Sequence, residues 1–418
     1  MRMKFNKSTQ FVLVSALCLA VATLMTACGS LTVDFVYVAS AKAAGSYSYG
    51  EINAFEVNRE SGALKQIPSS PFPSEGRNPV ALAASSDYNS LYVVNEDDNT
   101  VVQFLIGSDA KLYPENTINT PGYSPMAVSV TGSYLYVVDT YQPLANCSTT
   151  TPCSGAIAVY PLLSGSGSAL STSVSGRFGT VVSQNSLAYV PLKLASSSDV
   201  MQPTAITSVT SGSATYVYVT AYDTTSGGGY VFAYTSNSGV LTAVTGSPFA
   251  VGTQPSAVSA DASGNYLYVA DYTDGMVRSY AINSGALTYT SKTAAGGHPS
   301  AIVLSSANAY AYVSNALDST ISIYTVSNGV LTKKGTSSDT ASSNTVATGS
   351  KPVGMILDPS RQSFLYTADY LGGEVTGFVI SSASSTEGIP VPAVSSPYTS
   401  NAEPTAIVAV PFPRTASK

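Results

Sequence analysis

The chain has 418 residues, of which only 10% are charged, and its 18 basic and 24 acidic residues give a formal net charge of −6. So few charges exclude long solvated helices and coiled coils, which depend on abundant Glu, Lys and Arg. A thin spread of basic residues in an acidic protein also excludes nucleic-acid binding as a main function. The 28 Tyr residues and the many Ser, Thr and Val residues suit half-buried β-strands.

Residues 1–27 are predicted to be an export signal that is removed from the mature protein. Three basic residues precede the apolar run 11–22, which has signal-peptide length and is too short to span a membrane. The letters LMTAC at 24–28 resemble the lipobox of bacterial lipoproteins, which implies lipidation of Cys28 and a tether over 28–33. An ordinary cleavage site beside an incidental Cys is the alternative. We therefore expect an exported protein held in the cell envelope by a lipid anchor only, at the outer membrane or periplasmic face of a Gram-negative host.

One unit recurs over residues 34–413, ahead of a short tail at 414–418. It runs from a Pro through small and β-branched residues to a turn and an aromatic-Val strand ending in Asp or Asn. A polar loop, a third strand and a Gly-x-Leu-Thr edge follow, and the clearest copy occupies 254–288. The leading prolines are Pro79, Pro125, Pro203, Pro255, Pro299, Pro352 and Pro404. Four short strands in each unit of about 40–50 residues are typical of propeller blades.

The two ends of the chain provide a second count of the blades that does not depend on the prolines. The first aromatic-Val strand, near Phe35, has no Pro-led strand before it, and the last Pro-led strand, 404–410, has nothing after it. The sequence therefore predicts an all-β, seven-bladed β-propeller with four antiparallel strands per blade, closed by pairing the C-terminal strand with the N-terminal segment. A pair of sandwiches or a β-solenoid would not predict this split. One long spacing contains a Ser/Gly-rich insert, 164–175, which we place on the surface.

Two cysteines, Cys147 and Cys153, lie in one polar loop. In an exported protein such a pair predicts a disulfide. A metal or redox pair is the rival interpretation, but the spacing is not C-x-x-C and no His is nearby.

Several motifs resemble the lactonase-type seven-bladed propellers, a family that includes 6-phosphogluconolactonases and carboxymuconate cyclases and merges into the YVTN repeats. They are the Tyr-Val-x-Asn/Asp strands, the Asp-Pro-Ser turn at 358–360 and the stretch 315–321. The resemblance implies a lactone hydrolase, or a lactone-forming cycloisomerase, with its site at the mouth of the central channel. Two motifs depart from the family: His298 follows Gly297 without the usual Pro-Arg, and Ala316 replaces the usual Glu, whereas Glu96 appears in another blade.

The loops that enter the innermost strands and those that leave the second strands share one face of a propeller. The residues before the seven prolines are therefore predicted to ring one mouth of the channel: Asn78, Ser124, Gln202, Gln254, His298, Lys351 and Glu403. The second-strand ends add Asn95, Asp139, Asp271, Asn315 and Asp369. A polar mouth suits a small polar ligand. The alternative is structural, because Asp and Asn cap turns and a residue before Pro is held extended.

Candidate roles follow from the chemistry of these residues. His298, the only His, is a candidate general base together with Glu403 or Glu96, and a solvated loop His is the alternative. Lys351 and Arg77 are the cations placed to bind a carboxylate or phosphate. The other candidate ligand-binding residues are Asn78, Gln202, Gln254, Asp139, Asp271 and Asp369. Arg278, within a third strand, is expected to face solvent.

No resident cofactor is expected, because a lone His cannot build a multi-His metal site. Calcium at the acidic loop 271–275 is the alternative, although the loop lacks an EF-hand pattern. Two functions stay open: a lactone hydrolase acting on a small polar or anionic substrate, and a non-catalytic surface propeller that binds a carbohydrate, a peptide or a partner protein. We expect a monomer in either case.

Overall fold

The computed structural model describes residues 32–41, 48–147, 150–163, 176–194, 199–335, 344–400 and 403–412. The export signal, Cys28 and the insert 164–175 lie outside these ranges. Every regular element within them is a β-strand, and the same residues include no helix long and apolar enough to cross a membrane.

Seven antiparallel sheets form the molecule, and we number them as blades 1 to 7 in the order of their innermost strands. The innermost strands are Pro79–Ala84, Tyr123–Thr131, Met201–Ser211, Pro255–Ala260, Pro299–Leu304, Pro352–Leu357 and Glu403–Pro411. The second strands, in the same order, are Ser90–Asn95, Tyr134–Tyr141, Ala214–Asp223, Tyr266–Asp271, Tyr310–Asn315, Phe364–Asp369 and Thr32–Ala41. The third strands are Thr100–Ile106, Ala156–Leu163, Gly229–Asn237, Met276–Asn283, Thr320–Ser327, Glu374–Ile380 and Glu51–Asn58.

The outermost edge departs from the expected single fourth strand in five of the seven blades. Blades 1 and 4 have one strand each, Leu112–Asn119 and Ala286–Ala294. The other five have two short strands each, which in chain order are Leu64–Gln66 with Phe72–Pro73, Arg177–Phe178 with Val190–Pro191, Val240–Ala243 with Phe249–Gly252, Val330–Lys333 with Thr345–Ala347, and Pro390–Pro392 with Tyr398–Thr399.

A serine hydroxyl fills the interruption in three of these edges. Ser70, Ser247 and Ser396 each accept a bond of 2.9 Å from a backbone N–H of the third strand. The hydroxyl therefore replaces the carbonyl that a continuous fourth strand would supply, and the donor stays satisfied.

The ring closes as the sequence predicts. The C-terminal strand Glu403–Pro411 pairs antiparallel with Thr32–Ala41, from Asp34 opposite Pro411 to Ala41 opposite Glu403. The seven innermost strands contact one another in a closed circle, so that blade 7 meets both blade 6 and blade 1. Without this pairing, the inner edge of Thr32–Ala41 would be open to pairing with another chain. The predicted disulfide between Cys147 and Cys153 is also present, with the two Cα atoms 5.4 Å apart.

Buried tyrosines link neighbouring blades. The second strand of every blade carries one, and all seven are at most 1% exposed: Tyr37, Tyr92, Tyr136, Tyr218, Tyr268, Tyr312 and Tyr366. Six of them donate to an outer turn or strand of the next blade, as Tyr92 does to the carbonyl of Gly176 and Tyr366 to that of Gly62, both at 2.7 Å. The Tyr268 hydroxyl has no such partner in the described structure. The aromatic-Val strands thus need Tyr rather than Phe, because the ring fills the interface while the hydroxyl bonds across it.

Candidate functional site

The loops that enter the innermost strands meet at one mouth of the channel. All seven leading prolines are buried, whereas the residues before them are half-buried or, for Lys351, exposed. The expectation that these residues are extended is wrong at four positions. Asn78, Ser124, His298 and Lys351 have φ between 52° and 58°, which is left-handed backbone that non-Gly residues adopt at a cost. Three of the four, Asn78, His298 and Lys351, are candidate catalytic or binding residues, and they are thus held in an uncommon conformation at the rim.

The Asp and Asn residues that end the second strands lie beneath the mouth, where their side chains hold the entry loops. Asn95, Asp139, Asp271, Asn315 and Asp369 are all fully buried. The Asp271 carboxylate accepts bonds from the backbone N–H groups of Thr253, Gln254, Thr273 and Asp274. This geometry favours the capping role for the predicted ligand-binding residues Asp139, Asp271 and Asp369.

The entry loops also approach these side chains closely. A Cβ added at Gly122 would lie 2.6 Å from the Cβ of Asp139, and one at Gly76 would lie 2.5 Å from the amide of Asn95. Glycine is therefore required where each loop crosses its buried Asp or Asn.

Burial changes the acidity of two of these carboxyls. It raises the pKa of Asp139 to about 7 although the Gly122 N–H donates to the carboxylate. It also raises the pKa of Asp369 to about 6 although the Thr376 N–H and hydroxyl donate to it. The charged form loses more hydration than these hydrogen bonds return.

Blade 1 contributes a network of paired charges, which we call the ion-paired side: Arg77, Asn78, Glu96, Asp97 and Asp98. The Arg77 guanidinium bonds the Asp98 carboxylate through Nε at 2.7 Å and Nη2 at 2.5 Å, and the Arg77 backbone N–H bonds the same carboxylate. Burial would raise the pKa of Asp98, but these bonds outweigh it and hold the pKa below its ordinary value. The Asn78 amide donates to Glu96 at 3.0 Å, whose pKa is raised by burial and by the neighbouring Asp97.

Blades 6 and 7 contribute the second group, which we call the tyrosine side: Lys351, Tyr370 and Glu403. The Lys351 ammonium lies 4.6 Å from the centre of the Tyr370 ring, within the range of a cation–π contact. The Tyr370 hydroxyl donates to Oε2 of Glu403 at 2.7 Å, and this bond raises the pKa of the phenol. No ion pair holds Lys351 or Glu403 within the described ranges. At the rim, one tyrosine therefore contacts a cation through its ring and an acid through its hydroxyl.

His298 lies between blades 4 and 5, where its ring stacks on that of Tyr272. The ring centroids are 4.0 Å apart at an angle of 16°. Among the described residues, no carboxylate forms an ion pair with His298. Beside it, the Gln254 side chain accepts a bond from the Thr273 hydroxyl at 3.0 Å. The predicted partnership of His298 with Glu403 or Glu96 is thus not formed by direct contact.

Two further candidates are placed by strand pairing and by ion pairs. Gln202 lies within the innermost strand of blade 3, opposite Tyr222. Arg278 does not face solvent as expected, because its side chain is only 16% exposed and bonds both Asp271 and Asp274. The carboxylates of the candidate calcium loop are therefore occupied by a guanidinium and by backbone amides. Among the described residues, no group of three or more His, Cys, Asp or Glu side chains could hold a metal ion.

Two of the surface cavities do not include the residues that ring the mouth. One of about 150 Å³ is on the opposite face, between blades 1 and 2 near Asp87 and Leu162. Another of about 290 Å³ is lined by Tyr49, Gly50 and Phe72 of blade 7 and borders the entry loop of blade 1, because the Gly50 backbone bonds those of Ser74 and Gly76. The mouth remains the candidate site, because the entry loops of all seven blades bring the polar residues described above together there.

Sequence reasoning missed the two rim tyrosines, Tyr272 and Tyr370. Both directly follow the Asp that ends a second strand, at the position that Glu96 occupies in blade 1. Because that Asp is buried in the structure, the next residue emerges at the rim and reaches the entry residue of the following blade. The repeat itself contains the signal, which is an aromatic residue directly after the Asp that ends the second strand.

Comparisons with known proteins agree with the fold. A family model described as a seven-bladed lactonase β-propeller matches residues 36–186, 192–298 and 283–390. A candidate 6-phosphogluconolactonase from Bacteroides fragilis is 20% identical over 91% of this chain and 98% of its own, with a TM-score of 0.67. A periplasmic gluconolactonase from Pseudomonas aeruginosa is 17% identical over 91% and 99%, with a TM-score of 0.65. At these identities the likeness shows a common fold. Among curated proteins, none matches the chain.

Proposed function

The chain belongs to the lactonase family of seven-bladed β-propellers, and from this premise we propose that it hydrolyses a lactone at the mouth of its channel. The observation that carries the proposal is the tyrosine side, where Tyr370 bonds Glu403 and lies under Lys351. Lactone hydrolysis needs a base to take a proton from water and a positive group near the carbonyl oxygen. Glu403 and Lys351 supply these two groups.

The proposed reaction assigns each group a separate task. Glu403 accepts a proton from water as the water oxygen attacks the lactone carbonyl. Lys351 stabilises the negative oxygen of the tetrahedral intermediate. The ring C–O bond then breaks, and the proton passes to the departing alkoxide, which leaves an open hydroxy acid. Tyr370 is a positioning residue that fixes one oxygen of Glu403.

The test is proton release from a panel of sugar, phosphorylated and alkyl lactones, measured against a blank because lactones open spontaneously. Glu403→Gln should abolish turnover above the blank, whereas Glu115→Gln, on the exposed outer strand of blade 1, should leave it unchanged. His298→Ala decides whether the stacked imidazole takes part. Turnover that survives Glu403→Gln would reject the proposed base.

A non-catalytic binding surface is the second candidate, and one observation favours it. Tyr272 is 37% exposed and lies flat on His298, and exposed aromatic rings of this kind suit the faces of sugars or partner side chains. Absence of turnover with every lactone, together with saturable binding of an oligosaccharide that Tyr272→Ala abolishes, would establish this alternative.

We also propose that the reaction needs no metal and that the protein works in the cell envelope. Bonds from Arg278 to Asp271 and Asp274 argue against calcium at that loop, and activity should survive chelation. The predicted lipid anchor at Cys28 and the disulfide support an oxidising compartment. Cys28→Ser should abolish incorporation of labelled palmitate and release the protein from membranes, whereas retained label would exclude the anchor.

A further inference from the structure

The charge distribution around the mouth carries an inference about substrate class, which rests on the proposed lactone hydrolysis. A phosphorylated lactone brings two negative charges to the site. It would need cations that are not already balanced by acids, and so the question is whether the mouth offers any.

The first cation, Arg77, is already occupied. Its guanidinium makes two short contacts with one oxygen of Asp98 and donates to the carbonyl of Asp97 at 3.3 Å. A phosphate would have to displace a carboxylate that the Arg77 backbone N–H also holds. Such displacement exchanges one charge-assisted contact for another, and therefore provides little net attraction.

The second cation, Lys351, is balanced differently. It lies over the Tyr370 ring, whose hydroxyl donates to Glu403. The acid at the edge of that ring offsets the ammonium over its face. Lys351 can stabilise one transient oxyanion, but a permanent dianion would lie beside Glu403 and be repelled by it.

The other charges of the rim are mostly negative. The described residues of the entry loops, the turns between second and third strands and the positions before the prolines include eight acids and three bases. The acids are Glu75, Glu96, Asp97, Asp98, Asp199, Asp274, Asp318 and Glu403, and the bases are Arg77, Lys193 and Lys351. Arg77 pairs with Asp98, and Arg278, from a third strand, pairs with Asp274, so six of the acids have no ion pair within the described ranges. A cleft lined by one sign of charge depletes ligands of the same sign near its opening.

The rim between blades 4 and 6 also carries exposed aromatic and apolar side chains. Tyr272, Leu317 and Leu371 are 37%, 63% and 66% exposed on consecutive blades. They flank His298 and Lys351 and provide uncharged contacts for a ligand beside the acids of the same turns.

From these observations we propose that the mouth selects an uncharged lactone and discriminates against phosphorylated ones. The ion pair of Arg77 and the acid close to Lys351 weaken the attraction that a phosphate requires. The excess of acids at the rim slows the approach of an anion. The substrate that fits is a neutral lactone whose only negative charge is the oxyanion formed during the reaction.

The test compares glucono-1,5-lactone with its 6-phosphate at low and high ionic strength. We expect kcat/KM for the neutral lactone to exceed that for the phosphorylated one by about 10-fold or more at low salt, within the range of electrostatic steering. Added salt should lower the ratio of the two kcat/KM values, neutral over phosphorylated, because screening weakens repulsion between exposed charges. An equal or greater kcat/KM for the phosphorylated lactone would overturn the inference.

A matched pair of double variants separates the mouth from the protein's overall charge. Glu75→Gln with Asp97→Asn removes two charges at the rim, and Glu60→Gln with Glu387→Gln removes two exposed charges from the opposite face. The rim variant should narrow the ratio about 3-fold and the control should leave it unchanged. Equal narrowing by both would show that net charge, rather than the mouth, sets the preference.

Failure of lactone hydrolysis itself is a distinguishable result. If neither lactone is turned over above the blank, the proposed function fails. Calorimetric titration with the stable lactam analogues of both lactones then decides the inference alone. Tighter binding of the neutral lactam supports it, whereas tighter binding of the phosphorylated lactam, or no binding of either, overturns it.

Discussion

The ion-paired side and the tyrosine side of the mouth occupy equivalent positions of the repeat, yet they use their charges differently. On blade 1, Arg77 is bound to Asp98, and the residue after the second strand is Glu96, bonded to Asn78. On blades 6 and 7, the residue after the second strand is Tyr370, which separates Lys351 from Glu403 while contacting both. At this position Glu96 joins a network of hydrogen bonds, whereas the Tyr370 ring contacts both a cation and an acid. The same position of the repeat therefore serves two different arrangements of charge.

The largest expected effect tests whether the two sides differ in catalysis. Glu403→Gln should lower kcat by about 10³-fold, as loss of a general base does, whereas Glu96→Gln should change it less than about 3-fold because the Asn78 bond can persist with a neutral partner. The measurement is lactone-dependent proton release by both variants. Equal losses would remove the functional distinction between the sides.

The comparison extends beneath the rim, where blade 1 has Asn95 and blade 2 has Asp139. Because burial raises the pKa of Asp139 from 3.8 to about 7, the folded protein holds a proton that the unfolded chain releases. The protonated carboxyl of Asp139 therefore contributes fully to the unfolding free energy below about pH 4. This contribution, at most about 4 kcal/mol, is lost as the pH rises to about 7.

Asp139→Asn should flatten that part of the pH dependence, and denaturant unfolding of both proteins from pH 4 to 8 measures it. Glu115→Gln, at an exposed acid of the outermost strand of blade 1 that forms no ion pair within the described ranges, is the control for loss of a carboxyl. Identical slopes for Asp139→Asn and the unmodified protein would show that the carboxyl titrates normally.

Tyr370→Phe sharpens the comparison within the tyrosine side. The ring and its contact with Lys351 remain, but the bond that positions Glu403 is lost. We expect kcat to fall about 10-fold, less than for Glu403→Gln, with KM little changed, because Glu403 loses the hydrogen bond that fixes one of its oxygens. Unchanged kcat and KM would show that Tyr370 only packs against its neighbours.

The smallest expected effect on activity belongs to Arg77, and Lys351 is the cation to compare it with. Arg77→Ala should lower the unfolding free energy by about 1 kcal/mol, reduced by its partial exposure, and leave kcat/KM for a neutral lactone within about 2-fold. Lys351→Ala should do the reverse, with little change in stability and a clear loss of kcat. Denaturant midpoints and lactone kinetics of the two variants measure these effects. A greater loss of activity in Arg77→Ala than in Lys351→Ala would contradict the difference between the two sides.

Much of the architecture was predictable because the repeat is local. Seven Pro-led strands and seven aromatic-Val strands predicted seven blades, and the unpaired strands at the two ends predicted the closure that joins Thr32–Ala41 to Glu403–Pro411. The Cys147–Cys153 pair was predictable because six positions of separation fit one loop. Less was predictable at the mouth, where Arg278 proved to be held by Asp271 and Asp274 rather than solvated.

By itself the sequence determined the all-β class, the number of blades, the closing pair and the face on which the entry loops meet, because alternation, turn residues and repeat spacing act between near neighbours along the chain. Only the tertiary structure decided that Tyr366 bonds Gly62 across a blade interface, that His298 stacks on Tyr272, and that Arg77 is paired whereas Lys351 faces a ring. Most of these contacts join residues of different blades, or loops brought together at the mouth. Their geometry depends on how sheets pack around the ring, which no local pattern records.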